Sequence, residues 1–495
     1  MQKLVSGSEM ATYDKYTINE LGIPSLVLME RAALCCVQKI NAIFDKASKI
    51  CCVCGPGNNG ADGVAIARIL KCQNYCNISL YIIGEKTKYT DELNKQLAIC
   101  HNVDIPFLSD ISELNNQDLI VDAIFGIGLS RDPKDNFAQA INAINSSKTK
   151  VLSVDVPSGI CANTGKAYTP FICADYTVTF QFIKKGLLLG NGYVAKGELT
   201  VADIGIVAPA SNNEPHSNNN CFMFEPSDIE SLLPKLPVNA NKGSRGKVLV
   251  IAGSENIYGA CYLSAKAALM SGCGMVKVYT HKNNINVIQE SLPEAMYSQY
   301  EDYSEQDLAN LIDWADVVLI GPGLSTSEIA SKMVKQVVTY ATCPIVIDAD
   351  GINVLSRNLE LLSENSNYNI TLTPHLKEMS RLCGISVNDI QNNMEDVARD
   401  FCQKFKCNII LKNHTSFIVS KNNSTINTTG NQSMATAGSG DILAGITASL
   451  LAQNCSPDNA LPLASYIHGK AGEEASKEKG LRHVIATDLL QYIDF

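Results

Sequence analysis

No run in this chain approaches the ~18 uninterrupted apolar residues of a membrane-crossing helix, so no membrane partner is expected. The opening segment, Met1 to Glu9, lacks the apolar core of a signal peptide, and the chain is read as cytoplasmic. Positive charge is short as well. Forty Lys and Arg against 50 Asp and Glu leave a net charge of −10, which offers no global attraction to nucleic acid. Any phosphate-bearing ligand must therefore be held by local geometry. Aromatic residues are 6% of the chain and apolar residues 46%, the composition of a soluble globular protein. There is no internal repeat, and no G-x-x-x-x-G-K-[ST] segment, which excludes a Walker loop. At 495 residues the chain exceeds one ordinary core and predicts two or three domains.

Cysteine is plentiful, with 18 residues, but many sit inside apolar runs such as Leu34–Val37 and Ile50–Cys54. They read as buried reduced thiols rather than a disulfide framework. Cys51-x-x-Cys54 matches a redox motif in form only. It lies within a predicted strand, which turns its two thiols to opposite faces.

What is present is a pair of unrelated glycine-rich turns, one in each half. The first, Gly55-Pro-Gly-Asn-Asn-Gly60-Ala61-Asp62-Gly63, follows the apolar run Ile50–Cys54. The second, Ala437-Gly438-Ser439-Gly440-Asp441, opens the helical stretch Ile442–Ala452. Each offers backbone N–H groups and a helix N-terminus to negative charge. The polar segment Ser211–Asn220 between the halves reads as a linker. The expected domains are residues 1–210 and 222–495, joined by residues 211–221.

The first half opens with two helices, the second entered at Pro24. Strands are expected at Ile50–Cys54, Ile78–Ile83, Leu119–Ala123, Val151–Val154, Tyr176–Phe180 and Leu199–Val201. The second half repeats the alternation, with strands at Lys247–Ile251, Met275–Tyr279, Val317–Ile320, Pro344–Ile347, Ile370–Leu372, Ile409–Leu411 and Ser416–Val419. Apolar strands spaced by helices predict parallel sheets covered on both faces, an α/β fold of two three-layer αβα domains. Ligands then bind beyond the carboxyl ends of the strands, where the motifs sit.

In the first half, G-x-G-x-x-G between strand and helix suggests a Rossmann-like dinucleotide site, against a plain tight turn in which glycine permits close packing. Asp122 and Asp155 each close a strand, and Asn58 and Asn59 crown another. Each aspartate alone could be a turn or helix cap. Together these oxygen donors suggest a hard cation or a polar substrate on which charge develops. Gly-Pro-Gly-Asn-Asn-Gly, Val-Asp-Ala-Ile-Phe-Gly (residues 121–126) and Asp-Val-Pro-Ser-Gly (residues 155–159) resemble, in this order, the NAD(P)H-hydrate epimerases over about residues 1–205. The resemblance implies epimerisation at C6 of the hydrated cofactors NADHX and NADPHX, with a bound K⁺. Asn59, Asp122 and Ser158 would ligate the ion. Asn58, Asn59, Gly60, Ala61, Asp62, Gly126, Ile127, Gly128, Leu129, Ser130, Arg131, Asp132 and Asp155 would surround the substrate, Asp155 also as a catalytic group. Ala61 stands where the family usually has glycine, and its methyl is expected to crowd a phosphate.

In the second half, a glycine pair at a helix N-terminus can neutralise a transferring phosphoryl group while Asp441 accepts a proton, as in ribokinase-like kinases. The competing reading is a simple helix cap. Further motifs are Tyr258-Gly-Ala260, Gly321-Pro-Gly323, Asp348-Ala-Asp350, Thr373-Pro-His375 with Glu378, and Lys412 to Ser416. His375 and Glu378 at i, i+3 read as a capping or orienting contact rather than a zinc site. In this order the motifs resemble the ADP- or ATP-dependent NAD(P)H-hydrate dehydratases over about residues 222–493. The resemblance implies conversion of the S hydrate to NAD(P)H, AMP and phosphate, with ADP (or ATP) and Mg²⁺. Asp441 would be catalytic, and Ala260, Gly323, His375 and Asp441 would hold the hydrate. Lys412, Asn413, His414, Thr415, Ser416 and Gly440 would hold the nucleotide. Asn413-His414 and Leu376-Lys377 depart from the family pattern. The partners expected are small molecules together with a further copy of the chain in a homo-oligomer. The alternatives are a ribokinase-like small-molecule kinase fused to a Rossmann-like domain, and a nucleotide-sensing scaffold without catalysis.

Overall fold

The computed structural model describes residues 1–209, 220–364 and 369–494; most of the expected linker, residues 211–219, lies outside them. The chain divides into two compact units, residues 3–217 and residues 218–495, the latter including Met1 and Gln2.

In the first unit six parallel strands stand in the order Asn77–Ile82, Lys49–Cys54, Leu119–Ala123, Lys150–Val154, Tyr176–Phe180 and Glu198–Ala202. The central strands are mostly apolar because both faces are covered, with Asp122 and Ser153 as buried polar exceptions, and their apolar side chains fall into two separate clusters. Cys51 belongs to one cluster, while Cys52 and Cys54 belong to the other. The Cys51 and Cys54 thiols thus face opposite sides of the sheet, as the period-two pattern requires. Burial pushes the Cys51 thiol up to about 12. Among the described residues no cysteine forms a disulfide.

The second unit has seven parallel strands in the order Met296–Tyr300, Met275–His281, Lys247–Ile251, Val317–Ile320, Ile345–Ile347, Ile370–Leu372 and Asn408–Leu411. Ser416–Val419 then runs antiparallel to Asn408–Leu411 and Ser424–Asn427, which departs from the all-parallel expectation. Four intervening residues cannot hold the crossover that a parallel return needs, so the chain turns back as a hairpin. The strand Cys221–Met223 starts on the last residue assigned to the linker and pairs with Ser424–Asn427.

Two helices carry the centre of this unit, Gly259–Met270 and Ser439–Ala452. They approach so closely that a Cβ on Gly445 would lie 2.3 Å from the Ser264 carbonyl oxygen. Small residues on both helices permit this, and the second is buried on nearly every side.

Candidate functional sites

In each unit the chain builds outward from one central strand and then reverses, which opens a crevice at the carboxyl ends of two neighbouring strands. In the first unit these are Lys49–Cys54 and Leu119–Ala123; in the second, Lys247–Ile251 and Val317–Ile320. An open surface groove of about 580 Å³ lined by Asn41, Phe44, Asp45, Lys46, Gln73, Asn74 and Tyr75 lies at the opposite, amino ends of the strands.

The glycines of the first turn have different reasons. A Cβ on Gly55 would lie 2.1 Å from the Ile124 carbonyl oxygen, and one on Gly60 would lie 1.9 Å from the Gly55 oxygen. Packing explains both. Gly57 precedes the helix Asn58–Cys72, and nothing lies within 4 Å of a Cβ placed there. Its lack of a side chain instead leaves the helix N-terminus open to close approach by a ligand.

Asp122 is fully buried. Ser153 Oγ and Ser158 N donate to its Oδ2 at 2.7 and 2.9 Å, and Ser158 Oγ donates to Oδ1 at 2.5 Å. Phe125 N donates to Ser158 Oγ at 2.9 Å, tying the loop Phe125–Asp132 to the turn at Ser158. The Oδ1 of Asn59 lies 3.2 Å from where a Cβ on Gly126 would sit. Asn59 Nδ2 is buried with no partner among the described residues. Asn59, Asp122, Ser158 and Gly126 thus converge. Gly126 to Asp132 form an accessible loop around that point, held at its end where Thr169 N donates to Asp132 Oδ1 at 2.9 Å.

Asp155 follows the strand Lys150–Val154 with φ at 66°, a backbone region that aspartate adopts seldom. Its Oδ1 accepts from Lys184 Nζ at 2.5 Å, Thr179 Oγ1 at 3.0 Å and Phe180 N at 3.2 Å. Asp62, in the first helical turn, feels burial, the charge of Asp155 and then that of Asp14, which together push its carboxyl well above the usual range. Ala61 is fully buried within the apolar core. Its methyl has no exposed surface, so a ligand on the open side does not meet it as the sequence led one to expect.

In the second unit, a Cβ on Gly323 would lie 2.7 Å from Ile257 Cγ2 and 3.0 Å from Ala260 Cβ. Ala260 and Gly323 therefore meet across the crevice. Gly438 precedes the helix Ser439–Ala452 with φ at 90° and no side-chain cap. Asp441 takes no hydrogen bond from the described residues, so capping is not its role. Burial first, then the charges of Asp348 and Asp350 against that of Lys412, raise its carboxyl to about 7.

Lys412 Nζ donates to Asp348 Oδ1 at 2.8 Å and lies 3.3 Å from a Cβ position on Gly440. Thr373 Oγ1 donates to the same Asp348 oxygen at 2.7 Å. Lys412 N donates to Pro374 O at 2.8 Å, setting His375 beside it. His375 Nδ1 accepts from Lys377 N and Glu378 N at 3.0 and 3.1 Å, and Glu378 Oε2 accepts from His375 N at 2.8 Å. Of the capping or orienting contact expected from the spacing, the structure shows a reciprocal cap, which puts the imidazole proton on Nε2. Burial lifts the Glu378 carboxyl to about 7. Lys412 to Thr415 form the loop of the hairpin; Thr415 is buried and His414 is exposed. Asn413 Nδ2 contacts Met394 Sδ at 3.8 Å.

Asp348, His468 and Lys184 were not among the site residues taken from sequence. His468 Nε2 stands 3.1 Å from Ser439 Oγ, within the helix N-terminal turn. Burial drops its imidazole to about 4, leaving it neutral. Asp348 could be read from its place at a strand end; His468 and Lys184 carry no local signal.

Two family profiles match the chain. Residues 25–186 match the YjeF-related protein N-terminus and residues 248–494 match NAD(P)H-hydrate dehydratase. A bifunctional NAD(P)H-hydrate repair enzyme of Moorella thermoacetica is 33% identical over 513 residues, covering 99% of this chain and 96% of the relative. One from Dictyoglomus turgidum is 33% identical over 506 residues, covering 99% and 97%. Among solved structures, a ribokinase-like superfamily protein of Enterococcus faecalis is 29% identical with a TM-score of 0.51, over 55% of this chain and 94% of that one.

Proposed function

The chain belongs to the bifunctional NAD(P)H-hydrate repair enzymes, and from that premise we propose which residues carry each of its two reactions. Membership over the whole length sets aside the sugar- or vitamin-kinase fusion and the sensing scaffold.

The second unit dehydrates the S hydrate. Asp441 accepts the proton of the C6 hydroxyl as that oxygen attacks the terminal phosphoryl of ADP and AMP leaves. The N–H groups of Gly438 to Gly440, at the positive end of the helix, stabilise charge on the transferring group. The C6–O bond then breaks with phosphate as leaving group, and loss of a ring proton restores the dihydropyridine. Lys412 neutralises phosphate charge, and Asp348 and Thr373 fix its position. The His375 Nε2–H, 3.5 Å from Glu378 Oε1, would turn to the hydrate as a donor, beside Ala260 and Gly323. Asn413, His414, Thr415 and Ser416 line the nucleotide end. Mg²⁺, when bound, spreads phosphoryl charge; with few free carboxylates here, the nucleotide phosphates would supply most of its ligands. The supporting observation is Asp441 itself. It is a carboxylate with no hydrogen bond from the described residues, poised near neutrality in the first turn of a glycine-opened helix.

The first unit equilibrates the two hydrates. The ring nitrogen expels the C6 hydroxyl, giving an iminium and water, and water returns to either face. Asp62 and Asp155 are carboxyl groups in unlike surroundings, which separates their roles. Asp62 holds a proton for the departing hydroxyl, and Asp155 takes the proton of the returning water. Asn59, Asp122 and Ser158 would hold K⁺, whose charge favours the anionic oxygen cluster. The donor set fits a large hard cation because it contains only oxygens. The unpartnered Asn59 amide supports this, since turning it over would present an acceptor in place of the orphaned nitrogen. Asn58, Gly60, Asp62, the loop Gly126 to Asp132 and Asp155 would line the hydrate site.

Mixed NADHX epimers incubated with ADP test both halves. Recovery of absorbance at 340 nm should reach completion in wild type. It should stop near the S fraction when Asp155 is replaced by alanine. Full recovery at the normal rate in that variant, above the spontaneous rate of epimerisation, would remove Asp155 from the chemistry.

A further inference from the structure

Lys184 is among the largest fully buried side chains of the chain, a setting lysine occupies almost only when paired. It lies on the short strand Ile183–Lys184, in register with Val5 of the strand Gln2–Val5. Its ammonium donates to Asp155 Oδ1 at 2.5 Å, Thr179 Oγ1 at 3.1 Å and Phe180 O at 2.9 Å. Every proton on the nitrogen is therefore used inside the protein, and none remains for a ligand.

The consequence falls on Asp155. Lys184, Thr179 and Phe180 all bond to its Oδ1, and no described residue bonds to Oδ2. One oxygen is anchored by three donors while the other takes none from the described residues. The backbone at Asp155 is left-handed, with φ at 66°. An anion buried without a partner would be costly here, because Asp155 already repels Asp62, whose carboxyl it raises together with Asp14. The Cys36 thiol, pushed well up by burial, also feels the charges of Asp62 and Asp155 and, with them, that of Cys35.

We propose that Lys184 is a positioning residue for epimerisation: it compensates the charge of Asp155 and anchors Oδ1, so that Oδ2 alone exchanges a proton with the water at C6. This rests on the reading of Asp155 given above. Lys184 touches neither substrate nor water and takes no part in bond making.

The test uses the full-length chain and follows exchange of R- and S-NADHX by chromatography in Lys184→Met, Lys184→Gln, Asp155→Asn and the double variant Lys184→Met/Asp155→Asn. Dehydration of pure S-NADHX and the melting profile report folding. Lys184→Met should slow epimerisation about tenfold or more and leave dehydration unchanged. The acid side of its pH–rate profile should move up by about one pH unit or more, since the carboxylate has lost its counter-charge. In the Asp155→Asn background the same change should alter the rate by no more than about twofold. Lys184→Gln keeps a donor without the charge and carries the same test if the methionine variant melts early. An unmoved pH profile, or a loss that adds to that of Asp155→Asn, would make Lys184 merely structural and overturn the proposal. Normal epimerisation by Asp155→Asn would instead refute the reading of Asp155.

Discussion

Replacing Asp441 by asparagine should stabilise the second unit while abolishing its reaction. In the folded chain burial and neighbouring carboxylates raise this group from an ordinary 3.8 to about 7. An acid whose folded value is raised contributes stability below its unfolded value and loses it as pH climbs through the folded one. At 1.36 kcal/mol per pH unit, the full shift corresponds to about 4 kcal/mol of destabilisation above pH 7. Solvent reaches the half-buried carboxylate and screens it, which reduces the figure to about 1–2 kcal/mol. The asparagine variant should therefore melt about 2–6 °C higher than wild type at pH 8. The gain should shrink as pH falls through this range and reach zero only below about pH 3, under the unfolded value of 3.8, where both folded and unfolded forms are protonated. Calorimetric scans of the two proteins across this range measure it. Equal melting at pH 8, or a gain independent of pH, would refute the claim that an ionised Asp441 is held at a cost in the folded state.

Gly55→Ala should destabilise the first unit by about 1–3 kcal/mol, because its methyl would lie 2.1 Å from the Ile124 oxygen; epimerisation should fall while dehydration of S-NADHX stays normal. Exchanging K⁺ for a bulky organic cation should slow epimerisation without changing dehydration, as read by the two separate assays. In the native protein a thiol reagent should label the exposed Cys72, Cys76 and Cys173 first and leave Cys51, pushed up to about 12, unmodified. Peptide mass mapping after partial labelling reads the order.

Much of the fold was legible because buried parallel strands are written as apolar runs. Ile50–Cys54 and Val317–Ile320 carry no polar residue, and each lies within or coincides with a strand of the structure. The glycine turns were equally visible, since a chain crossing tightly between strand and helix tolerates little else there. Edge elements were not. Met296–Tyr300 holds Ser298 and Gln299 on a half-exposed strand, so its sequence reads as loop. Ile183–Lys184 is two residues long and its lysine looks like surface, because only the fold brings it to Asp155. Local spacing did point to a capping or orienting contact between His375 and Glu378, which are three residues apart. It could not reveal that the Ala61 methyl is fully buried, since the phase of the helix against the sheet is set by packing. His468 lies outside any glycine motif and meets Ser439 only where two helices converge.

The central claim is that Asp441 is the base for phosphoryl transfer from the nucleotide, and single-turnover dehydration of S-NADHX measures it most directly. With ADP in excess, wild type should restore absorbance at 340 nm and release AMP and phosphate in equal amounts. Asp441→Asn should bind both ligands yet react at least about a hundredfold more slowly. Turnover at the wild-type rate by that variant would contradict the account.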